Sequence, residues 1–275
     1  MKFKTLFFLF NFILLLSFAF IFLMPLPVLG WEYALSFWKQ NWLIAVLFIV
    51  VLGGIDSYFF VQWPLYRRLE REDWSGLKDL LESQWKHKGR LSLGRTRIYL
   101  NSLLIEQKPN AIAAVRLRCL ENRSKFLPKI ALSLGLPLVL EGNADGIEEF
   151  FGPLVENKKA GGDLPWIRWS VGFGRLLKKD ADGARPLLER GLTEKKNPLL
   201  RLLSLYLLEN CGVGNPEVAA RVEQERLRLK TQFTPKEWQS HHDGLKEKII
   251  LVLFMEKLIA DARTWLAQPA KENPQ

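Results

Sequence analysis

Pro165-Trp166-Ile167-Arg168-Trp169-Ser170-Val171-Gly172-Phe173-Gly174-Arg175-Leu176-Leu177, followed after Lys178-Lys179 by Asp180-Ala181-Asp182-Gly183-Ala184-Arg185-Pro186-Leu187-Leu188-Glu189-Arg190-Gly191, reads as a pair of helices. Trp166, Trp169, Phe173 and Leu176 keep a 3, 4, 3 spacing and so fall on one face of the first helix. Asp180 is placed to cap the first free amides of the second, and Ala184 and Gly191 leave room for a closely crossing neighbour.

The same opening recurs along the chain. Asp73-Trp74-Ser75-Gly76-Leu77, Asn110-Ala111-Ile112-Ala113-Ala114, Asn143-Ala144-Asp145-Gly146-Ile147 and Asp180-Ala181-Asp182-Gly183-Ala184 begin at spacings of 37, 33 and 37 residues, with a looser copy at Asn215-Pro216-Glu217-Val218-Ala219. A period near 35 predicts stacked two-helix units. Leu77, Leu80, Leu81 and Trp85, like Ile147, Phe150, Phe151 and Leu154, keep helical spacing, and no run of alternating β-branched residues predicts a sheet. The expected fold class is all-α.

On these residues the region from 70 to about 231 resembles the tetratricopeptide repeat, a 34-residue helix-turn-helix unit. Pro165 to Pro198 matches best: Val171-Gly172 stands where that family has Leu-Gly, and Ala184 and Gly191 hold its two small-residue positions. The preceding unit, Pro128 to Gly161, keeps Leu134-Gly135 but has Ile147 and Leu154 at the small positions, and Pro137 and Pro186 fall inside predicted helices. The resemblance implies an α-solenoid whose first-helix positions, here Trp166, Trp169, Phe173 and Leu176, line a groove for protein partners. The alternative for this aromatic face is that neighbouring helices fill it and make it core.

Ahead of the repeats the composition is different. Leu6 to Leu23 holds only Asn11 and Ser17 as polar residues, and Trp42 to Phe60 holds one charge, Asp56. Each run is long enough to cross a hydrocarbon core of about 30 Å. Residues 1–30 are expected to form a first membrane span, with a signal peptide cut after Val28-Leu29-Gly30 as the alternative. Residues 31–63 are expected to form a connector and a second span, 64–267 a tetratricopeptide-like cytoplasmic domain, and 268–275 a disordered tail. Lys2 and Lys4 precede the first run and Arg67, Arg68 and Arg71 follow the second, whereas the connector carries only Glu32 and Lys39. That distribution predicts that everything beyond residue 63 is cytoplasmic, with either treatment of the first run. Trp31, Trp38, Trp42, Tyr58, Trp63 and Tyr66 suit interfacial anchors. Asn11 and Asp56 reach similar depth in an antiparallel hairpin and are expected to share a cross-helix hydrogen bond.

The formal net charge of +10 and a mean hydropathy near zero average these two parts. Before residue 64 the only charged side chains are Lys2, Lys4, Glu32, Lys39 and Asp56, so the basic excess belongs to the later part. Arg67, Arg68 and Arg71 are candidate contacts with anionic lipid headgroups. Arg116-Arg118-Arg123-Lys125-Lys129 and Arg221-Arg226-Arg228-Lys230 are interleaved with Glu121, Glu223 and Glu225, as on solvated helices, which weighs against nucleic acid as a partner.

No catalytic, cofactor-binding or metal-ligating set is expected. His241, His242 and Asp243 are adjacent, and neighbouring helical side chains point about 100° apart and cannot share an ion. Gly172-Phe173-Gly174 lacks the third glycine and the preceding strand of a dinucleotide loop. Cys119 and Cys211 lie in apolar helical patterns and read as buried thiols, and Cys211-Gly212-Val213-Gly214 reads as a helix end and turn. Thr234-Pro235-Lys236-Glu237 is a helix start, and Ile249 to Phe254 is too short to span a bilayer and reads as a buried capping helix. The expected function is a membrane-anchored, non-enzymatic scaffold or adaptor, similar in layout to bacterial inner-membrane assembly proteins. The alternative is an accessory subunit of a membrane enzyme or transporter complex.

Overall fold

The computed structural model describes residues 3–122, 124–194, 197–211, 215–232 and 255–268. Among them the chain is helical throughout, with no strand. The helix start at Thr234, the histidine pair, the run Ile249 to Phe254 and the tail beyond Gln268 lie outside the described residues. Two compact units divide at Leu91 and Ser92.

In the first unit, α1 (Phe3–Leu23) is followed by the short α2 (Pro25–Leu29), and Gly30 at φ +85° turns the chain into α3 (Trp31–Glu70). Half-buried side chains recur at 7, 11, 14, 18 and 22 on α1, and at 38, 41, 45, 48, 52, 55 and 59 on α3. A seam with 3 and 4 spacing is the signature of knobs-into-holes packing between two helices. Ring contacts set it antiparallel: Phe7 meets Phe59 at 5.2 Å, Phe18 stacks on Phe48 at 4.1 Å, and Phe22 meets Phe37 at 5.8 Å. Outside the seam the apolar side chains are uncovered, among them Phe20, Leu47, Phe60 and Val61. Both helices are long and apolar enough to cross a membrane.

Helix α3 runs without interruption from the connector through Pro64 to Glu70, past the change of composition at Trp63-Pro64. Proline there deprives the Phe60 carbonyl of its i+4 donor, but the flanking turns hold the helix. After Arg71, Asp73 accepts from the Gly76 amide at 2.9 Å and opens α4 (Trp74–Lys88), which buries Leu77, Leu81 and Trp85 as the spacing predicted.

The second unit runs through α5 (Leu93–Ile105), α6 (Pro109–Glu121), α7 (Leu127–Leu140), α8 (Ala144–Phe151), α9 (Leu164–Leu177), α10 (Ala181–Leu192), α11 (Pro198–Cys211), α12 (Pro216–Gln232) and a C-terminal helix, α13 (Glu256–Ala267). From α5 to α12 each helix packs on the next, apart from the 3-10 turns inserted between α8 and α9. In addition α5 touches α7, α7 touches α9 and α9 touches α11. Helix α13 packs on α11 and α12.

Three of the four expected caps are made as read. Besides Asp73, Asn143 accepts from Gly146 and Asp180 from Gly183, each at 2.9 Å. Asn110 is the exception, because Pro109 already occupies the first helical turn and Lys108 stands at the cap position. Proline suits that turn because its missing N–H would have had no intrahelical partner.

The small-residue positions mark close crossings. A Cβ on Gly172 would lie 2.9 Å from Leu188 Cδ2 of α10, and one on Gly191 would overlap Ser204 Oγ of α11. Where Ile147 replaces the expected small residue, the space comes from the other side: Gly174 of α9 faces it, and a Cβ on that glycine would lie only 2.8 Å from Ile147 Cγ2. Arg175 ties α8, α9 and α10, donating to both Glu148 carboxylate oxygens at 2.8 and 3.2 Å and to the Gly183 carbonyl at 3.0 Å.

Candidate interaction surfaces

Trp166 and Trp169 are each 1% exposed, so the aromatic face is core at these two positions and presents no open anchor there. Trp169 stacks on Phe173 at 5.5 Å and meets Trp166 edge-on at 6.1 Å, while Phe173 and Leu176 are half-buried. Helix α9 lies against α7, α8, α10 and α11, which leaves its first two turns no solvent-facing side for a large ring. Both indole N–H groups are buried without an acceptor. The cluster is therefore held by packing area and ring geometry, with no hydrogen bond adding to it.

An open groove lies instead between α10, α11 and α12, with a cavity of about 650 Å³. Leu192, Leu208, Val218 and Val222 supply its apolar lining, and Arg201, Arg221 and Arg228 its cations. Each has a partner at the surface: Arg221 donates to Glu189 at 3.3 Å, Arg228 to Glu225 at 3.4 Å, and Arg201 to Gln232 Oε1 at 3.2 Å. Apolar floor with oriented charge around it is the composition of a surface that holds a peptide segment. Sequence reasoning missed the groove because its lining is drawn from three helices, and each contributes ordinary amphipathic spacing.

The two basic clusters differ in what their cations touch. Arg226 is 2% exposed; its guanidinium donates to the Trp265 carbonyl at 2.6 Å and the Gln268 carbonyl at 2.8 Å, and stands 4.7 Å over the Trp265 ring. Lys230 Nζ reaches the Ala267 and Gln268 carbonyls at 3.1 and 3.3 Å. Two cations of α12 thus cap the carbonyl end of α13, where a positive charge is favoured by the orphan C=O groups. As phosphate ligands they would first have to abandon that helix. The legible signal was the stripe Val218, Val222, Arg226, Leu229, in which Arg226 holds a buried position. In the other cluster, Arg116 is half-buried, donating to the Leu134 carbonyl at 3.3 Å and lying 5.6 Å over the Phe150 ring, and burial pulls its guanidinium below the ordinary arginine value. Arg118, Lys125 and Lys129 are exposed.

In the hairpin, Asn11 and Asp56 are both half-buried, but the expected bond between them is not made. Asn11 Nδ2 donates to the Phe7 carbonyl of its own helix at 3.3 Å, and Asn11 Oδ1 and Asp56 Oδ1 are both enclosed without a donor. An amide in a helix reaches its own i−4 carbonyl more readily than a group across the seam. Trp38, one of the expected anchors, spends its indole N–H on the Phe22 carbonyl at 2.8 Å and so closes the hairpin near its turn. Of the three arginines after α3's apolar run, Arg67 and Arg71 are exposed, and Arg68 stands 3.9 Å from Asp73.

Cys119 and Cys211 are buried free thiols, and burial raises both above the usual thiol value, which keeps them in the unreactive form. Among the described residues no three His, Cys, Asp or Glu side chains converge as metal ligands would.

The chain aligns over 97% of its length with an uncharacterized protein of Treponema pallidum (strain Nichols), at 26% identity and over 88% of that protein, a span that takes in the apolar helices as well as the array. No solved structure matches. Residues 111–268, from the first turn of α6 to the carbonyl that receives Arg226 and Lys230, match a family model described as an uncharacterised Treponema protein, and the chain belongs to that family.

Proposed function

We propose that this protein is a membrane-anchored, non-enzymatic scaffold or adaptor. A hairpin of two spans holds a tetratricopeptide-like α-solenoid at the cytoplasmic face of the cell membrane, where it binds a protein partner. The observation that carries the reading is the pairing of two long helices with uncovered apolar outer faces and a helical array that carries an open groove. A hydrocarbon solvent removes the cost of exposing side chains such as Phe20 and Val61. The solenoid reading is supported by the contacts of α5, α7, α9 and α11 in a continuous row, with the intervening helices packed between them. Orientation follows from the Lys/Arg excess at Lys2, Lys4, Arg67, Arg68 and Arg71, and the last three also suit anionic headgroups. Tethering raises the effective concentration of a partner at the membrane, so a groove of modest affinity suffices.

A second reading, an accessory subunit of a membrane complex, is favoured by one specific observation: Asn11 Oδ1 and Asp56 Oδ1 are enclosed acceptors without donors on the hairpin seam. Polar groups in a span are commonly satisfied by another helix. Co-purification in mild detergent separates the two. A partner released by Arg221→Glu with Arg228→Glu, two exposed side chains of the groove, while the circular dichroism of the chain is unchanged, supports the adaptor. An integral-membrane partner retained through that change and released by Asp56→Leu supports the subunit and overturns the groove.

A further inference from the structure

Helix α6 is apolar on two sides. Ile112, Val115 and Cys119 are buried toward α5 and α7, as an amphipathic helix requires. The opposite side carries Ala113, Leu117 and Leu120, where charge is the norm, and Leu117 is 58% and Leu120 44% exposed. Phe126, in the turn directly after the helix, is 42% exposed. Ser124 donates its amide to the Cys119 carbonyl at 3.0 Å, and its hydroxyl accepts from the Phe126 amide at 3.3 Å. In the same stretch of sequence Arg118, Lys125 and Lys129 are exposed, as is Glu121.

Large uncovered apolar side chains with cations in the same stretch, at the end of a helix and in its following turn, match the chemistry of an anionic bilayer surface: rings and branched chains enter the headgroup boundary while lysine and arginine meet phosphate. We propose that the outer face of α6 and the turn to α7, through Leu117, Leu120 and Phe126 with Arg118, Lys125 and Lys129, is a docking surface for anionic lipid headgroups, a second membrane contact beyond the hairpin. This inference rests on the anchored reading above, because the two spans are what keep a bilayer within reach at high effective concentration.

The test uses the full chain in nanodiscs containing phosphatidylglycerol or pure phosphatidylcholine, with a fluorophore on Leu117→Cys, independently on Leu120→Cys, and on Leu47→Cys in the span as reference. The native thiols are buried, and the wild-type chain carried through the same labelling provides the blank. Doxyl lipids quenching near the headgroup should dim the probes at 117 and 120 only when phosphatidylglycerol is present, and doxyl groups deep in the chain should dim the probe at 47 in both. Lys125→Gln or Lys129→Gln should each weaken the phosphatidylglycerol-dependent quenching about five-fold. Probes at 117 and 120 that stay bright while the probe at 47 is quenched overturn the docking surface and leave the anchor intact. A probe at 47 that also stays bright overturns the anchor, and the docking surface with it. Quenching at 117 that is equal in both lipids, or unchanged by the lysine substitutions, overturns the assignment to anionic lipid.

Discussion

Arg226 shows how far a single side chain departs from its neighbours. Arg221, Arg226, Arg228 and Lys230 share one helix and one charge, yet only Arg226 is enclosed, because it takes the core-facing step after Val218 and Val222. Its fork satisfies two carbonyls at the end of α13 and its plane covers Trp265, roles that lysine cannot reproduce together. Arg226→Ala should destabilise the second unit by about 2–4 kcal/mol, as charged hydrogen bonds to buried carbonyls are lost, and Arg226→Lys should recover less than half. Urea unfolding in detergent checks the magnitude, and faster amide exchange confined to α12 and α13 checks the location. Trp169 makes a complementary case. Since its indole N–H has no acceptor, Trp169→Phe should cost under about 1.5 kcal/mol despite the smaller ring, whereas Trp169→Ala opens a cavity and should cost about 3–5 kcal/mol. A hydrogen-bonded indole would reverse the mildness of the first substitution. The aromatic spacing was plain in the sequence, but whether it faced solvent was not, since core and groove both require large rings at 3 and 4 spacing.

Among the elements, α3 separates composition from structure. The change from apolar to charged residues at Trp63-Pro64 was correctly visible, but a helix registers backbone geometry and local packing, and it continued across the change for a total of 40 residues. At about 1.5 Å per residue that is about 60 Å, twice a hydrocarbon core, so its ends lie outside any bilayer the middle crosses. The cross-helix bond expected for Asn11 and Asp56 was not legible in the sequence, because an amide's nearest acceptor is in its own helix. It follows that Asp56→Leu should leave the hairpin formed. Disulfide trapping between Phe18→Cys and Phe48→Cys, whose rings stack in the native chain, should proceed equally with and without that substitution. Loss of trapping would mean that Asp56 does hold the helices together. Farther on, Arg175 holds the Glu148 carboxyl below the ordinary carboxylate value through its hydrogen bonds, and Glu148 in turn raises Arg175. A carboxylate whose folded value is lowered contributes stability that is fully present above its unfolded value and is lost as pH falls through the folded one. The melting difference between wild type and Glu148→Gln should therefore be widest at neutral pH and close below about pH 4. A difference that persists at acid pH would assign the effect to packing among α8, α9 and α10.

For the whole molecule the decisive quantity is where the cations lie along the chain. The two apolar helices alone are compatible with either orientation; Lys2 and Lys4 before α1, and Arg67, Arg68 and Arg71 near the end of α3, outweigh Lys39 between them. An expected topology is readable from sequence because it responds to residue type and order, not to packing. The groove and the α6 surface were not, because they depend on which side chains from separate helices end up uncovered. If the asymmetry sets topology, a fluorescent protein fused after Gln275 should be bright in cells and alkaline phosphatase at the same position inactive, since each folds on opposite sides of the membrane. Replacing Arg67, Arg68 and Arg71 by Gln, together with Glu32→Lys and Gln40→Lys in the connector, moves the excess to the other side. The same fusions should then show fluorescence falling and phosphatase activity rising as part of the population inverts. Phosphatase activity with the native arginines in place would put the helical array outside, and with it any partner of the groove. No change on moving the charges would mean that folding of the array before insertion, not the flanking cations, determines orientation.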